Sequence, residues 1–176
     1  LFICGISIWS EKYNLKNGEV CETLGYYSYG DGGGSKYIIT DDNNTIANDI
    51  DVILLDNGLK AVFIHDNVIE VKQFGAKEGL ISEQTDRISN RDRIQRCIDF
   101  CFENNLNELK INGYYRVAKE DNTGYAFEVK PLENDIKSKL NIYVNGYIQA
   151  YNCSVFLIEN LINSIVEINL KYGGSV

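Results

Sequence analysis

Methionine is absent from the sequence, and proline, histidine and tryptophan occur once each, at Pro131, His65 and Trp9. A complete translated chain starts with methionine, and a bulky Leu1 does not favour its removal, so a piece of a longer polypeptide is expected. With one histidine, a zinc site or a Ser-His-Asp triad would have to rest on His65 alone. The neighbours of His65 alternate as a strand, which reads as an exposed or edge position. The five cysteines, Cys4, Cys21, Cys97, Cys101 and Cys153, are odd in number and contain no C-x-x-C pair. That pattern supports neither a disulfide framework nor a metal site, and it suits a reducing compartment. No segment approaches the ~20 apolar residues of a membrane-spanning helix. The apolar run Leu1–Trp9 is short and lacks the basic flank and cleavage site of a signal peptide. Positive charge is also scarce, with 17 Lys and Arg against 25 Asp and Glu and a net charge of −8. Such a surface repels phosphate backbones, so nucleic acid is excluded as the expected partner and anionic membranes are disfavoured.

What is present is a globular composition, 44% hydrophobic and 24% charged, sufficient for one ordinary domain or two small ones. Residues 1–69 read as a small β module. Its glycine cluster, Gly30, Gly32, Gly33 and Gly34, invites a phosphate-loop reading. It has no G-K-[ST] ending, and the β-rich run Lys36–Thr40 follows where a helix would be needed, so a turn between strands is expected. Asp51–Leu55 and Leu59–Ile64 flank Asn57-Gly58, a hairpin signature. From residue 70 onward the pattern changes. Val71–Phe74 reads as a short strand stopped by Gly75. Arg91–Asn104 reads as a helix, because Ile94, Cys97, Ile98, Cys101 and Phe102 form one apolar stripe. Ser89 or Asn90 is its expected N-cap, Asn104-Asn105 its stop, and Cys97 and Cys101 are expected to be buried free thiols. Strand signals then follow closely at Asn107–Val117, Ala126–Val129, Leu140–Val144, Tyr147–Ala150, Ser154–Ile158 and Ile165–Leu170. Asn145-Gly146 reads as a turn between two of them. Many short strands with no later helix suit a coiled solenoid, with an antiparallel sandwich as the alternative.

Phe74-Gly75-Ala76-Lys77, followed by Ile94-Gln95-x-x-Ile98-Asp99, resembles the opening of the pectate-lyase-like right-handed β-helix found in phage tailspikes and polysaccharide-cleaving enzymes. Members usually read F-G-A-K-G-D-G and then T-D-D-T-x-A-I-Q-x-A-I. Asn107–Val117 is similar to the strand that follows, and Leu24–Tyr37 to a β module that precedes it in prophage tail proteins. The chain departs from the pattern at Glu78-Gly79, in a longer loop before the helix, and at Ser89-Asn90, which stand where the family has two aspartates that the resemblance implies are structural caps. The implied fold is mainly β: an N-terminal β-rich anchoring module (1–69), then a lid helix and the first rungs of a parallel β-helix (70–176).

The function this resemblance implies is a phage tailspike or tail-fibre protein, made in the bacterial cytoplasm and carried on the virion, that attaches to a host surface polysaccharide. The implied partners are two further copies in a homotrimer, other tail or baseplate proteins through the N-terminal module, and the host glycan, with no nucleic acid, no membrane insertion and no cofactor or metal. A free polysaccharide lyase or glycoside hydrolase is the alternative, and a purely structural tail component a third reading. Depolymerase activity would need a carboxylate pair. Glu120, Asp121, Glu128, Glu133, Asp135, Glu159 and Glu167 are present without a motif that singles out two of them, so no catalytic residue is named. Tyr143, Tyr147, Tyr151 and Phe156 are the candidates for an apolar contact between copies or for stacking on sugar rings. The overall acidity favours a neutral glycan over a strongly anionic one.

Overall fold

Alternation of apolar and polar residues puts every second side chain of a strand on one face, and this period organises most of the chain. A computed structural model describes residues 2–3, 14–121, 123–130, 139–158 and 165–170. The described part is mainly β with one α-helix, and the chain divides into two compact units. The first comprises Leu1–Asp66 and Lys72–Gly75; the second comprises Asn67–Val71 and Ala76–Val176.

The first unit holds a five-stranded sheet of β1 (Phe2–Ile3), β2 (Val20–Thr23), β3 (Lys36–Thr40), β4 (Val52–Leu54) and β5 (Lys60–Ile64), in the order β1-β2-β3-β5-β4. All pairs are antiparallel except β1 with β2. Asn57-Gly58 forms the expected hairpin, with Gly58 at φ 83° and β4 pairing β5 so that Ile53 faces Ala61. Tyr37, Ile39, Ala61 and Phe63 are buried on one face, and Phe63 meets Phe74 edge-on at 5.2 Å. Val71–Phe74 is a turn of 3-10 helix, not the expected strand; the strand is β6, Val68–Glu70. Val71 and Phe74 are both fully buried. A spacing of three suits a 3-10 turn and contradicts a two-residue alternation.

Among the described residues of the second unit every strand pairing is parallel. β6, β7 (Glu108–Ala118), β9 (Lys139–Tyr151) and β11 (Ile165–Leu170) form one sheet in the order β11-β9-β7-β6, while β8 (Tyr125–Val129) and β10 (Ser154–Ile158) form another. The chain thus alternates between two sheets and returns to each in the same direction. Like residues stack as a result: Ile69, Leu109 and Ile142 share one register line and are all fully buried. Phe127 faces Phe156 with ring centroids 5.4 Å apart. Asn145-Gly146 is not a turn. It lies inside the continuous strand β9, with Asn145 opposite Asn112 and Gly146 opposite Gly113.

The helix, α1, runs from Gln84 to Glu103 and ends at Asn104 as expected. Ile94, Cys97, Ile98, Cys101 and Phe102 are all buried, and burial pushes the Cys101 thiol up to about 12. The start differs from the sequence reading. Glu83 is the N-cap, without a side-chain bond, and Ser89 and Asn90 lie within the helix. Asn90 is buried and bonds the backbone instead: its Oδ1 accepts from Lys77 N at 2.7 Å, and its Nδ2 donates to Lys77 O at 2.8 Å and Arg116 O at 3.3 Å. The helix also meets the edge of β8 left unpaired by β10. Gln95 accepts from Glu128 N and donates to Glu128 O, both at 2.9 Å, and Arg91 Nε donates to Ala126 O at 2.7 Å. Gln95 therefore pairs with β8 as a neighbouring strand would, satisfying backbone groups that an open edge would expose. Among the described residues no helix is long and apolar enough to cross a membrane.

Candidate functional site

Three places could carry function, and each can be weighed by which polar groups it leaves for a ligand. The glycine-rich loop between β2 and β3 is the first. Its donors are already used: the Asp31 carboxylate accepts from the backbone N–H groups of Tyr26, Tyr27, Ser28 and Gly33 at 2.7–3.0 Å. Partial burial pushes the Asp31 carboxyl up, but those bonds outweigh it and hold it below the ordinary carboxylate value. An anion already fills the ring of amides, so the loop is a turn, and a phosphate would meet like charge there.

The second place is a groove of about 380 Å³ between the α1 residues Ile88, Arg91 and Asp92 and the segment Ala118–Asp121. Both of its cations are paired, Arg91 with Asp92 at 3.0 Å and Lys119 with Asp121 at 3.5 Å, which leaves the groove with the negative charge of Glu120. The acidic residues of the sequence reading are dispersed. Glu120 and Asp121 are exposed on the loop after β7, Glu128 lies on β8 beside Lys130, and Glu167 is exposed on β11. Glu133, Asp135 and Glu159 lie outside the described residues. The Thr123 backbone N–H lowers Asp121, and Lys130 lowers Glu128. A general acid for sugar cleavage needs a raised value, so neither suits that role. Among the described residues no three His, Cys, Asp or Glu side chains gather as metal donors. His65 lies just beyond β5, half-buried, its Nδ1 3.0 Å from Asp66 O.

The third place is the outer face of β7 and β9. The inward positions Leu109, Ile111, Tyr115 and Val117 alternate with outward ones, and parallel register sets Tyr114 beside Tyr147, Arg116 beside Gln149 and Ala118 beside Tyr151. Tyr114 and Tyr147 stack, with centroids 5.4 Å apart and planes 23° from parallel. The Tyr114 hydroxyl donates to Gln149 Oε1 at 2.6 Å and accepts from Arg116 Nε at 2.9 Å. That bond to Tyr114 holds the Arg116 guanidinium above even its ordinary value. Arg87, from α1, lies 4.0 Å above the Tyr151 ring, and Arg116 lies 5.9 Å from the same ring. Both guanidinium groups donate to Ile81 O, at 3.1 and 3.4 Å. The result is a row of aromatic rings bordered by two cations and an amide.

Two glycines lie side by side where this face begins. Gly113 has φ 115°, and a Cβ there would lie 2.5 Å from the Glu78 carboxylate; at Gly146 it would lie 2.0 Å from Gly113 O. Only glycine fits either position. Beside them Asn145 Nδ2 donates to Asn112 Oδ1 at 2.8 Å, and Asn112 donates to Glu70. The repeated triplets Asn112-Gly113-Tyr114 and Asn145-Gly146-Tyr147 are thus stacked corners, each delivering a tyrosine to the same outer row.

Of the aromatic candidates from sequence, Tyr147 is 55% exposed and Tyr151 half-buried, both on this row. Tyr143 is half-buried on β9 opposite Lys110. Phe156 packs on Phe127 and does not belong to the outer face. Tyr114, Arg116, Gln149 and Arg87 were not singled out by the sequence; the repeated Asn-Gly-Tyr triplet was the signal that could have found the first.

A scan against protein-family models gives no match, and a search of curated proteins gives none. Among solved structures the chain is similar to the tailspike protein of Acinetobacter phage vB_ApiP_P1, at 12% identity over 89% of this chain and 29% of that one, with a TM-score of 0.48. It is also similar to the enzymatically active domain of tailspike protein 2 from bacteriophage CBA120, at 13% identity over 99% of this chain and 27% of that one, with a TM-score of 0.47. The chain spans less than a third of the length of either.

Proposed function

We propose that the chain is a portion of a phage tailspike or tail-fibre protein that attaches to a host surface polysaccharide through the outer face of β7 and β9. The observation that carries the glycan reading is the row of Tyr114, Tyr147 and Tyr151 beside Arg116 and Gln149. Aromatic faces offer a flat apolar surface to the C–H side of a sugar ring, and neighbouring amide and guanidinium groups bond its oxygens. The phage assignment draws on the sequence resemblance at Phe74–Lys77 and Ile94–Asp99. In this reading the parallel sheets are the first coils of a right-handed β-helix, α1 is the lid over its open end, and the first unit attaches the protein to other tail or baseplate components. Three copies associate side by side on the virion. Any depolymerase chemistry belongs to further coils, and no residue here is assigned to it.

Binding of the purified chain to an array of bacterial surface oligosaccharides tests the glycan reading. At least one member is bound, and Tyr147→Ala weakens it by about tenfold, the loss of one well-made contact. An array without a bound member overturns it. Light scattering tests the assembly: a species of three times the 19.9 kDa chain is expected, and a monomer at micromolar concentration overturns the trimer.

A further inference from the structure

Resting on that glycan reading, we propose that the β7/β9 face selects a saccharide bearing a carboxylate, such as a uronic acid, and binds that group between Arg87 and Arg116. The chain has an excess of acid, −8 overall, yet neither of these arginines has a carboxylate partner among the described residues. Arg91 is paired with Asp92 and Arg96 with Glu103. Arg87 and Arg116 donate only to Ile81 O and, for Arg116, to Tyr114 Oη and Gln149 Oε1. A guanidinium carries five N–H donors in a fixed planar fork, so most donors of Arg87 and several of Arg116 remain for a ligand. The Tyr151 ring, 4.0 Å from the Arg87 guanidinium carbon, supports that fork from one side without using its N–H donors.

Charge alone, taken over the whole chain, favours a neutral glycan. Distance decides otherwise. At physiological salt the field of an exposed charge decays over about 8 Å, so a ligand on this row is governed by the two guanidinium groups in contact with it. A neutral sugar seated there would strip water from both cations without supplying an anion, whereas a carboxylate replaces that water with bidentate, charge-assisted bonds. The stacked Tyr114 and Tyr147 then receive the ring face of the same or the adjoining sugar.

The test is binding of the full chain to matched pairs of oligosaccharides, each uronate-bearing member beside its carboxyl-reduced counterpart. The uronate form binds at least about tenfold more tightly, the range expected of hydrogen bonds to a charged group. Raising salt from about 50 to about 500 mM narrows that gap. Arg87→Gln and Arg116→Gln each weaken the uronate form more than its reduced partner, so the gap between the two forms closes. Tyr147→Ala weakens both forms. Arg116 also braces Tyr114; if Arg116→Gln melts earlier than the parent, Arg87→Gln, whose side chain among the described residues hydrogen-bonds Ile81 O alone, decides the matter. Equal binding of the two forms, with Tyr147→Ala weakening both, overturns the carboxylate selection and leaves the glycan reading standing. Absence of binding to every pair overturns both.

Discussion

Replacing Asn90 by leucine separates two accounts of how α1 is fastened. If Asn90 were an N-cap, the change would cost about 1 kcal/mol, and Ser89→Ala a similar amount if Ser89 shared the role. In the structure Asn90 is 1% exposed and makes three hydrogen bonds, two to Lys77 and one to Arg116. Leucine keeps the branched outline of asparagine but is bulkier, so the loss of the three bonds is the least cost and overpacking adds to it. At about 1 kcal/mol net for each bond, the loss is ~3 kcal/mol, and the better helix propensity of leucine returns about 0.5 kcal/mol. The Lys77 backbone is on an exposed residue, where water recovers part of the deficit, which leaves about 2–3 kcal/mol of destabilisation from the bonds alone. For a chain of this size that lowers Tm by about 4–12 °C. Urea unfolding followed at 222 nm measures it. Leucine within ~0.5 kcal/mol of the parent would refute the three-bond clasp, as would an equal loss in Ser89→Ala, whose Oγ, among the described residues, accepts one bond, from Arg93.

Gly146→Ala is expected to disrupt the stacked corner, because its Cβ would lie 2.0 Å from the Gly113 carbonyl oxygen; the variant should lose several kcal/mol in urea unfolding, about the scale of core overpacking or more. Asp31→Asn removes half of the acceptors that hold the glycine loop and should cost about 2 kcal/mol at pH 7. Because the folded carboxyl lies below its ordinary value, its contribution is present above the unfolded value of about 3.9 and is lost as pH falls through the depressed folded value. The gap between parent and variant should therefore narrow as the pH is lowered below about 3.9, and a gap that widens in acid would contradict this.

Much of the architecture was legible because it depends on local chemistry. The apolar stripe of α1 defined its buried face from Ile94 to Phe102, and Asn57-Gly58 defined a hairpin. What was missed depends on contacts remote in sequence. The first turns of α1, Gln84 to Asn90, are polar apart from Ile88, so no periodicity marks them. They are helical because Asn90 is fastened to Lys77 and Arg116, residues 13 and 26 positions away. Asn145-Gly146 carries the same local signature as Asn57-Gly58, but its neighbour is another Asn-Gly pair on a parallel strand, and the ladder continues through it. The outer row was hidden for the same reason. Tyr114 and Tyr147 become a pair only when the chain returns in register, and Arg87 joins them from a helix whose start the sequence did not reveal.

The proposal that the row is a recognition surface depends on that register. In a strand a slip of one residue sends every side chain to the opposite face, which would bury Tyr147 and turn Ile148 outward. Three features act against such a slip. Ile69, Leu109 and Ile142 are fully buried on one register line, Asn145 is bonded to Asn112, and the corner accepts glycine only where Gly113 meets Gly146. Each also fixes the phase of the tyrosines one position further along. Tyr114 is then tied through its hydroxyl to Gln149 and Arg116, so the rings are ordered before any ligand arrives. A weak partner such as a sugar gains little from each contact, and its affinity depends strongly on how few side chains must be immobilised on binding. Loosening the glycine corner should therefore weaken binding at the tyrosine row without removing any group that touches the ligand.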